Sequence, residues 1–395
     1  MTLESTTFRS AMKMGTAFGT ALLLLLFNAV SFGQGTFSLR LDTLMIFNAN
    51  DLNLGQPELS RMGSGDGRLW WPTKDENGHQ VLMAFDCNKR VFGSIRVPKN
   101  TCLDREFTLR GVACRDSLFF VWSDLGLIFD AKGKVHDCIK VVDISSGHFS
   151  ADGYIAFSNY YREPTDNAYV TLQAKKGTQR IDLPGDHFEL SRFEPNKVLA
   201  VSDAVIARLS ISEPKLYTYN SKFEPIDSVV FSDEAWLTMN AGFSEKELNR
   251  IRSKAPGFFE FYFELFERGL SKSTNLQFVN DTTLFVGYMQ GIKNQYYQIV
   301  QLGKDGTIEH VSEPVRAGIG QCNQEGVDRL DPERFQQLDL PARAVAIDGF
   351  LYYVTFGAHR VPWGESCEVY EEILNSPNPN RDRWLHIFKY AIVEL

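Results

Sequence analysis

Histidine is scarce in this chain of 395 residues: there are 7, and none stands at a spacing that a zinc or metalloprotease site requires. No HExxH, no Walker-type glycine loop and no G-x-S-x-G elbow occurs. The usual signatures of metalloprotease, phosphate-binding-loop and α/β-hydrolase chemistry are therefore missing. No CxxC pair occurs, which removes the zinc-ribbon and dithiol redox readings. No run of lysine or arginine is present and the formal net charge is −8. An acidic chain without a basic patch is a poor candidate for nucleic acid. Long apolar runs are also missing, with one exception at the amino terminus.

That exception has the form of a secretory signal. Arg9 and Lys13 precede an apolar stretch, Gly15–Val30, and Ser31 and Gly33 occupy the −3 and −1 positions of a cut before Gln34. The apolar centre is short for a bilayer span. Residues 1–33 are expected to be removed, leaving 34–395 as one secreted or periplasmic domain with no transmembrane segment in the mature chain. Export gives the six cysteines an oxidising setting, where an even count suggests disulfides.

What the chain has in plenty is aromatic residues, 13%, most of them Phe, set in a recurring phrase. Short turns lead straight into apolar runs: Gly65-Asp66-Gly67, Arg115-Asp116-Ser117, Ala151-Asp152-Gly153, Pro195-Asn196-Lys197, Asn280-Asp281-Thr282 and Ile347-Asp348-Gly349. A period of about 40 residues made of strands and tight turns is the mark of a β-propeller. The expectation is an all-β, six-bladed propeller of four-stranded blades. The last unit lacks a strand, and the alternating segment Phe37–Ile46 is expected to supply it, closing the ring and removing an open edge.

Numbering the strands of a blade A to D from the axis outward, A–B and C–D turns share one face, and B–C and D–A connections share the other. Every short turn falls in the first set and every long segment in the second. One long segment, 232–274, is expected to be a helical insertion between blades four and five, with Ser244 and Glu247 forming a capping box. Its second helix carries Phe258, Phe259, Phe261, Tyr262, Phe263 and Phe266 around most of its circumference, as a buried lid or a docking surface would. Cys322 and Cys367 lie in the two longest loops beside the last blade and are expected to pair.

Strand A lines the axis and starts on the loop-rich face. The starts read as Arg61, Arg105, His148, His187, Asn275 and Arg343, and the adjoining loops add Tyr160, Tyr161, Arg162, Asp203, His359, Arg360 and Trp363. Arginine and aromatic residues around a concave mouth suit an anionic or sugar-like ligand. Pairing of the same side chains with Glu106, Asp186 and Glu189 is the structural alternative.

Blade plan, leader and closure together resemble the secreted six-bladed β-propellers of the NHL/TolB-like class, over about residues 37–395. That class includes binding scaffolds and lactonase-like and lyase-like enzymes. Its lactonase-like members hold a channel metal on acidic and asparagine side chains, whereas the strand starts here are mainly Arg and His, so no metal and no other cofactor is expected. The leading expectation is an exported scaffold that binds a small molecule, glycan or protein ligand over the channel, and a monomer is compatible with it. One alternative is a hydrolase or lyase at the same mouth, using His148, His187, Asp203 or His359. Another is protein docking through the aromatic helix. Catalysis is left open, with binding favoured.

Overall fold

The computed structural model describes residues 37–48, 61–75, 77–99, 109–123, 125–139, 144, 146–150, 153–158, 169–174, 177–182, 198–210, 214–231, 243–255, 257–291, 294–317, 344–356 and 384–394. The first blade is β2 (Gly63–Gly65), β3 (Arg68–Lys74), β4 (Gln80–Asp86) and β5 (Val91–Arg96), paired in that order. The second is β6 (Gly111–Arg115), β7 (Leu118–Trp122), β8 (Gly126–Asp130) and β9 (Val135–Ile139). The third is β10 (Ser146–Ser150), β11 (Gly153–Ser158), β12 (Tyr169–Ala174) and β13 (Gly177–Asp182). The fourth is β14 (Leu199–Val201), β15 (Val205–Leu209), β16 (Lys215–Asn220) and β17 (Pro225–Val230).

The next sheet departs from the uniform four-stranded plan. It contains β18 (Ser271–Asn280), β19 (Thr283–Gln290), β20 (Asn294–Leu302), β21 (Ile308–Val311) and β22 (Val315–Ala317). Both β21 and β22 pair with β20, the first at Val300–Leu302 and the second at Gln295–Tyr297. They are two pieces of one outer edge. Pro314 has no amide donor and cannot continue a ladder, and Ser312 spans the break, its hydroxyl accepting from the Ile299 amide at 2.9 Å. Among the described residues there are thus five four-stranded blades and one five-stranded sheet, which corrects the expected six four-stranded blades to five.

The closing blade is β23 (Val345–Ile347), β24 (Phe350–Phe356), β25 (Trp384–Glu394) and, outermost, β1 (Phe37–Asn48). The amino-terminal strand does pair antiparallel with the carboxy-terminal one, from Phe37 opposite Glu394 to Asn48 opposite Trp384. Lys389 clips the seam, with an ion pair to Asp42 at 3.2 Å and its ammonium over the Phe350 ring. Around the axis the inner strands β2, β6, β10, β14, β18 and β23 each touch the next, and β23 returns to β2.

Local chemistry accounts for the turns. Asp66-Gly67, Asp116-Ser117 and Asp348-Gly349 all have positive φ at both residues. That is the geometry of the tight hairpin turn whose twist matches paired strands, and Asp and Gly tolerate it best. The blades meet through apolar faces. Trp70 of the first packs edge-on against Phe119 of the second, and Phe120 of the second against Tyr154 of the third.

Two helices, α1 (Glu245–Lys254) and α2 (Phe258–Glu267), precede β18. Ser244 and Glu247 form the reciprocal capping box, and acidic residues open α1 while basic ones close it. In α2, Phe261, Tyr262, Leu265 and Phe266 are buried in one core with Leu216 of the fourth blade and Leu284 of the next sheet. The aromatic helix is a packed wedge. Its described aromatic rings are consumed by that core, which removes the docking-surface reading for them; the side chains of Phe258 and Phe259 lie outside the described residues. No described helix is long and apolar enough to cross a membrane.

The fourth blade corrects the sequence reading. Val198–Val201 was expected to be strand B, following a turn at 195–197. Instead Leu199–Val201 is the inner strand, and Val205–Leu209 is strand B. The physical reason is Arg208, which interrupts an apolar run yet is only 1% exposed in the fold. A charged residue in mid-run reads as a loop, and here it is buried in a strand.

Candidate ligand site in the central channel

The six inner strands enclose a cavity of about 180 Å³ on the axis. Its walls come from all six: Arg61 and Ser64, Arg110 and Val112, Ser146 and His148, Leu199 and Ala200, Leu276 and Gln277, and Val345 and Ala346. All six strands run the same way along the axis, so distance from the following turn gives depth. Arg61 stands four residues before the end of β2, Arg110 five before the end of β6, and Ser146 four before the end of β10. These three share one level, at the loop end. His148 lies two residues nearer the turns, roughly 6–7 Å deeper.

Glycine sets the width of this ring. A Cβ at Gly63 would stand 1.7 Å from the Val112 carbonyl oxygen, and one at Gly111 would stand 2.1 Å from the Trp122 indole. A side chain at Gly63 would force the first two inner strands apart, and one at Gly111 would displace the indole of its own blade. The Trp122 ring therefore lies against the inner strand and forms part of the cavity wall. Its Nε1 is buried and has no hydrogen-bond partner among the described residues.

Each polar wall group has a definable role. The Arg61 guanidinium donates to the Leu109 carbonyl at 2.8 Å, which anchors it at the mouth. Arg110 is exposed. His148 Nε2 lies 3.2 Å from the Ser146 hydroxyl. Burial lowers the His148 pKa to about 4, so the ring is neutral at physiological pH. The ring is half-buried and lines the cavity. Gln277 is committed to the blade junction: its Nε2 donates to Asn275 Oδ1 at 2.8 Å and to the Ala344 carbonyl, and its Oε1 accepts from the Ala346 amide. Asn275 is fully buried and donates to Ala344 as well, so it serves the junction and not the mouth.

The turn end has opposite character. Asp66, Asp116, Asp203, Asp281 and Asp348 each occupy the A–B turn of a different sheet, and all are exposed. The turns are stitched together blade to blade. Asp66 accepts from the Asp116 and Ser117 amides at 3.0 and 2.9 Å and from the Cys114 thiol. Arg115 pairs with Asp203 at 2.7 Å. Cys114 and Cys87 are free thiols. Burial pushes both up in pKa, Cys87 to about 11, and the Asp66 carboxylate adds to the shift at Cys114. Neither is a reactive thiolate at neutral pH.

Of the expected site residues, Arg61 and His148 line the cavity together. Asp203 does not: it lies at the opposite end of the channel, in the turn that follows the inner strand of the fourth blade. Tyr160, Arg162, His187, Arg343, His359, Arg360 and Trp363 lie outside the described residues, as do Cys322 and Cys367. Sequence reasoning missed Arg110, Ser146 and Trp122. Arg110 was available as the residue before Gly111-Val112-Ala113-Cys114, but the second blade was read as starting nearer Arg105. Among the described residues, no group of three or more His, Cys, Asp and Glu side chains could hold a metal ion.

No family model matches the chain, and no curated protein matches it. Solved structures do. A member of the DUF4221 family from Bacteroides vulgatus aligns over 92% of this chain and 100% of its own, with a TM-score of 0.51 and 8% identity. A "Putative exported protein" from Bacteroides fragilis aligns over 89% and 95%, with a TM-score of 0.49 and 13% identity. The β-propeller domain of the Trilobed protease from Pyrococcus furiosus aligns over 80% and 82%, with a TM-score of 0.36 and 12% identity. At such identities the likeness to the first of these speaks for the propeller fold alone.

Proposed function

We propose that this protein is an exported binding scaffold whose ligand is a small anion held at the loop end of the channel. One observation carries the reading. Two guanidiniums, Arg61 and Arg110, stand at one level of one cavity, in a chain whose formal net charge is −8. A concave wall with low-dielectric sides focuses such a field and raises the local concentration of anions. The aspartates at the turn end give the axis a direction. Counting the split edge of the fifth sheet as one strand makes the ring six-bladed, in keeping with the secreted NHL/TolB-like class.

Tyr160, Arg162, His187, Arg343, His359, Arg360 and Trp363 are proposed as further ligand contacts on the sequence alone. Titration of the mature chain with propionate, followed by calorimetry, tests the reading. Binding that weakens in Arg110→Gln supports it, and heat-silent titrations of wild type at millimolar acid refute it. Export is tested by sequencing the amino terminus of the recovered protein, which should begin at Gln34. A Cys322–Cys367 bridge should appear in non-reducing peptide maps.

A hydrolase or lyase at the same mouth is the second reading. The observation that favours it is the His148–Ser146 pair, a neutral base beside a hydroxyl. Asp203 cannot complete a triad there, being paired with Arg115 at the other end. Turnover of small carboxylate esters that disappears in Ser146→Ala would favour this reading over simple binding.

A further inference from the structure

We infer that the channel takes a small hydroxylated monocarboxylate, its carboxylate held by Arg61 and Arg110 and a hydroxyl reaching the His148–Ser146 pair. The inference rests on the anion reading given above and narrows it to a chemical class.

Size is the first constraint. A cavity of about 180 Å³ lies below the roughly 300–1,000 Å³ of sites that take drug-sized ligands. It suits a small acid or one sugar unit.

Charge is the second. The cations stand at the loop-end level only. Ser146 and Trp122 stand at the level of the cations, and the wall below is Val112, Leu199, Ala200 and Val201, with Ser64, His148 and Gln277 as uncharged polar groups. A second carboxylate placed there would lose its water and gain no cation, an unfavourable exchange. A dianion is thereby disfavoured, and beyond the turns the aspartates repel it further.

Hydrogen-bonding capacity is the third. His148 uses Nε2 towards Ser146, and its other nitrogen has no partner among the described residues. A ligand hydroxyl can serve that nitrogen as donor or acceptor, whichever tautomer the ring adopts. A plain alkyl acid leaves that nitrogen unserved.

The test is calorimetric titration of the mature chain with glycerate, glucuronate, propionate, succinate and glucose. Glycerate or glucuronate should bind about tenfold more tightly than propionate, the worth of roughly one good hydrogen bond. Succinate should gain nothing over propionate, and glucose should not bind measurably. Ser146→Ala and His148→Phe should bring glycerate down to the propionate level. Arg110→Gln should weaken every acid by a similar factor. Equal affinity for glycerate and propionate, or a preference for succinate, with dependence on Arg110 kept, would overturn the class and leave the anion reading standing. Absence of binding by every acid would overturn both. If His148→Phe fails to fold, Ser146→Ala, which removes only a hydroxyl, decides the matter.

Discussion

The two ends of the channel are built from the same six inner strands, and they have opposite character. At the loop end Arg61 and Arg110 line a cavity with the Trp122 ring and a neutral histidine. At the turn end five exposed aspartates sit in tight turns; Asp66 is tied to the adjoining second blade, and Asp203 to Arg115 of that same blade, two blades away. The turn end thus spends its polar groups on holding the ring together. The loop end instead gathers two guanidiniums and a neutral histidine around one cavity, and on our reading that difference locates the ligand site.

The comparison can be broken or sharpened by substitution. The largest effect is expected from Gly63→Ala, where the new methyl would meet a backbone carbonyl at 1.7 Å. A loss of about 3 kcal/mol in denaturant unfolding is expected, because the inner ring itself must open. Arg110→Gln comes next. It should cost about 1.5–3 kcal/mol of anion affinity, the worth of a charged hydrogen bond, with the melting temperature nearly unchanged. Asp66→Ala should show the reverse pattern. It removes the acceptor for two amides and a thiol of the second blade, for a loss of about 1–2 kcal/mol of stability, with affinity intact. Asp203→Asn should be the mildest, at most about 1 kcal/mol, since it breaks one exposed ion pair. If Asp203→Asn abolished binding, the assignment of the two ends would be wrong.

Acid offers a separate handle. His148 and His386 both have pKa values lowered to about 4 by burial. Between that value and the ordinary 6.5 the unfolded chain binds more protons than the folded one, so stability falls as pH falls through this window. The carboxylates with lowered values, such as Asp86 and Asp130, act below their ordinary range near 3.8 and add a later loss. A melting temperature that declines from about pH 6.5 towards 4, less steeply in His386→Phe, is the expected profile.

Much of the architecture was legible because turn chemistry is local. Asp-Gly and Asp-Ser pairs announced their turns at 66, 116 and 348, and the alternation of Phe37–Ile46 announced the closing strand. The fourth blade was misread because Arg208 is a buried charge in a strand, and burial is a property of the fold and not of the residue. That error carried Asp203 to the wrong end of the channel. The site was half legible. Arg61 and His148 followed from strand starts, but Ser146 and Trp122 are ordinary strand residues, and only the ring geometry brings them to one cavity. The aromatic helix left two readings open until its partners, Leu216 and Leu284, came from strands distant in sequence.

The claim that the loop end is the ligand end is tested most directly by diffraction from crystals grown with 3-bromopropionate. The account expects an anomalous bromine peak inside the cavity, with the carboxylate on Arg61 and Arg110. A bound acid at the turn end, or bound acid everywhere except the channel, would contradict it.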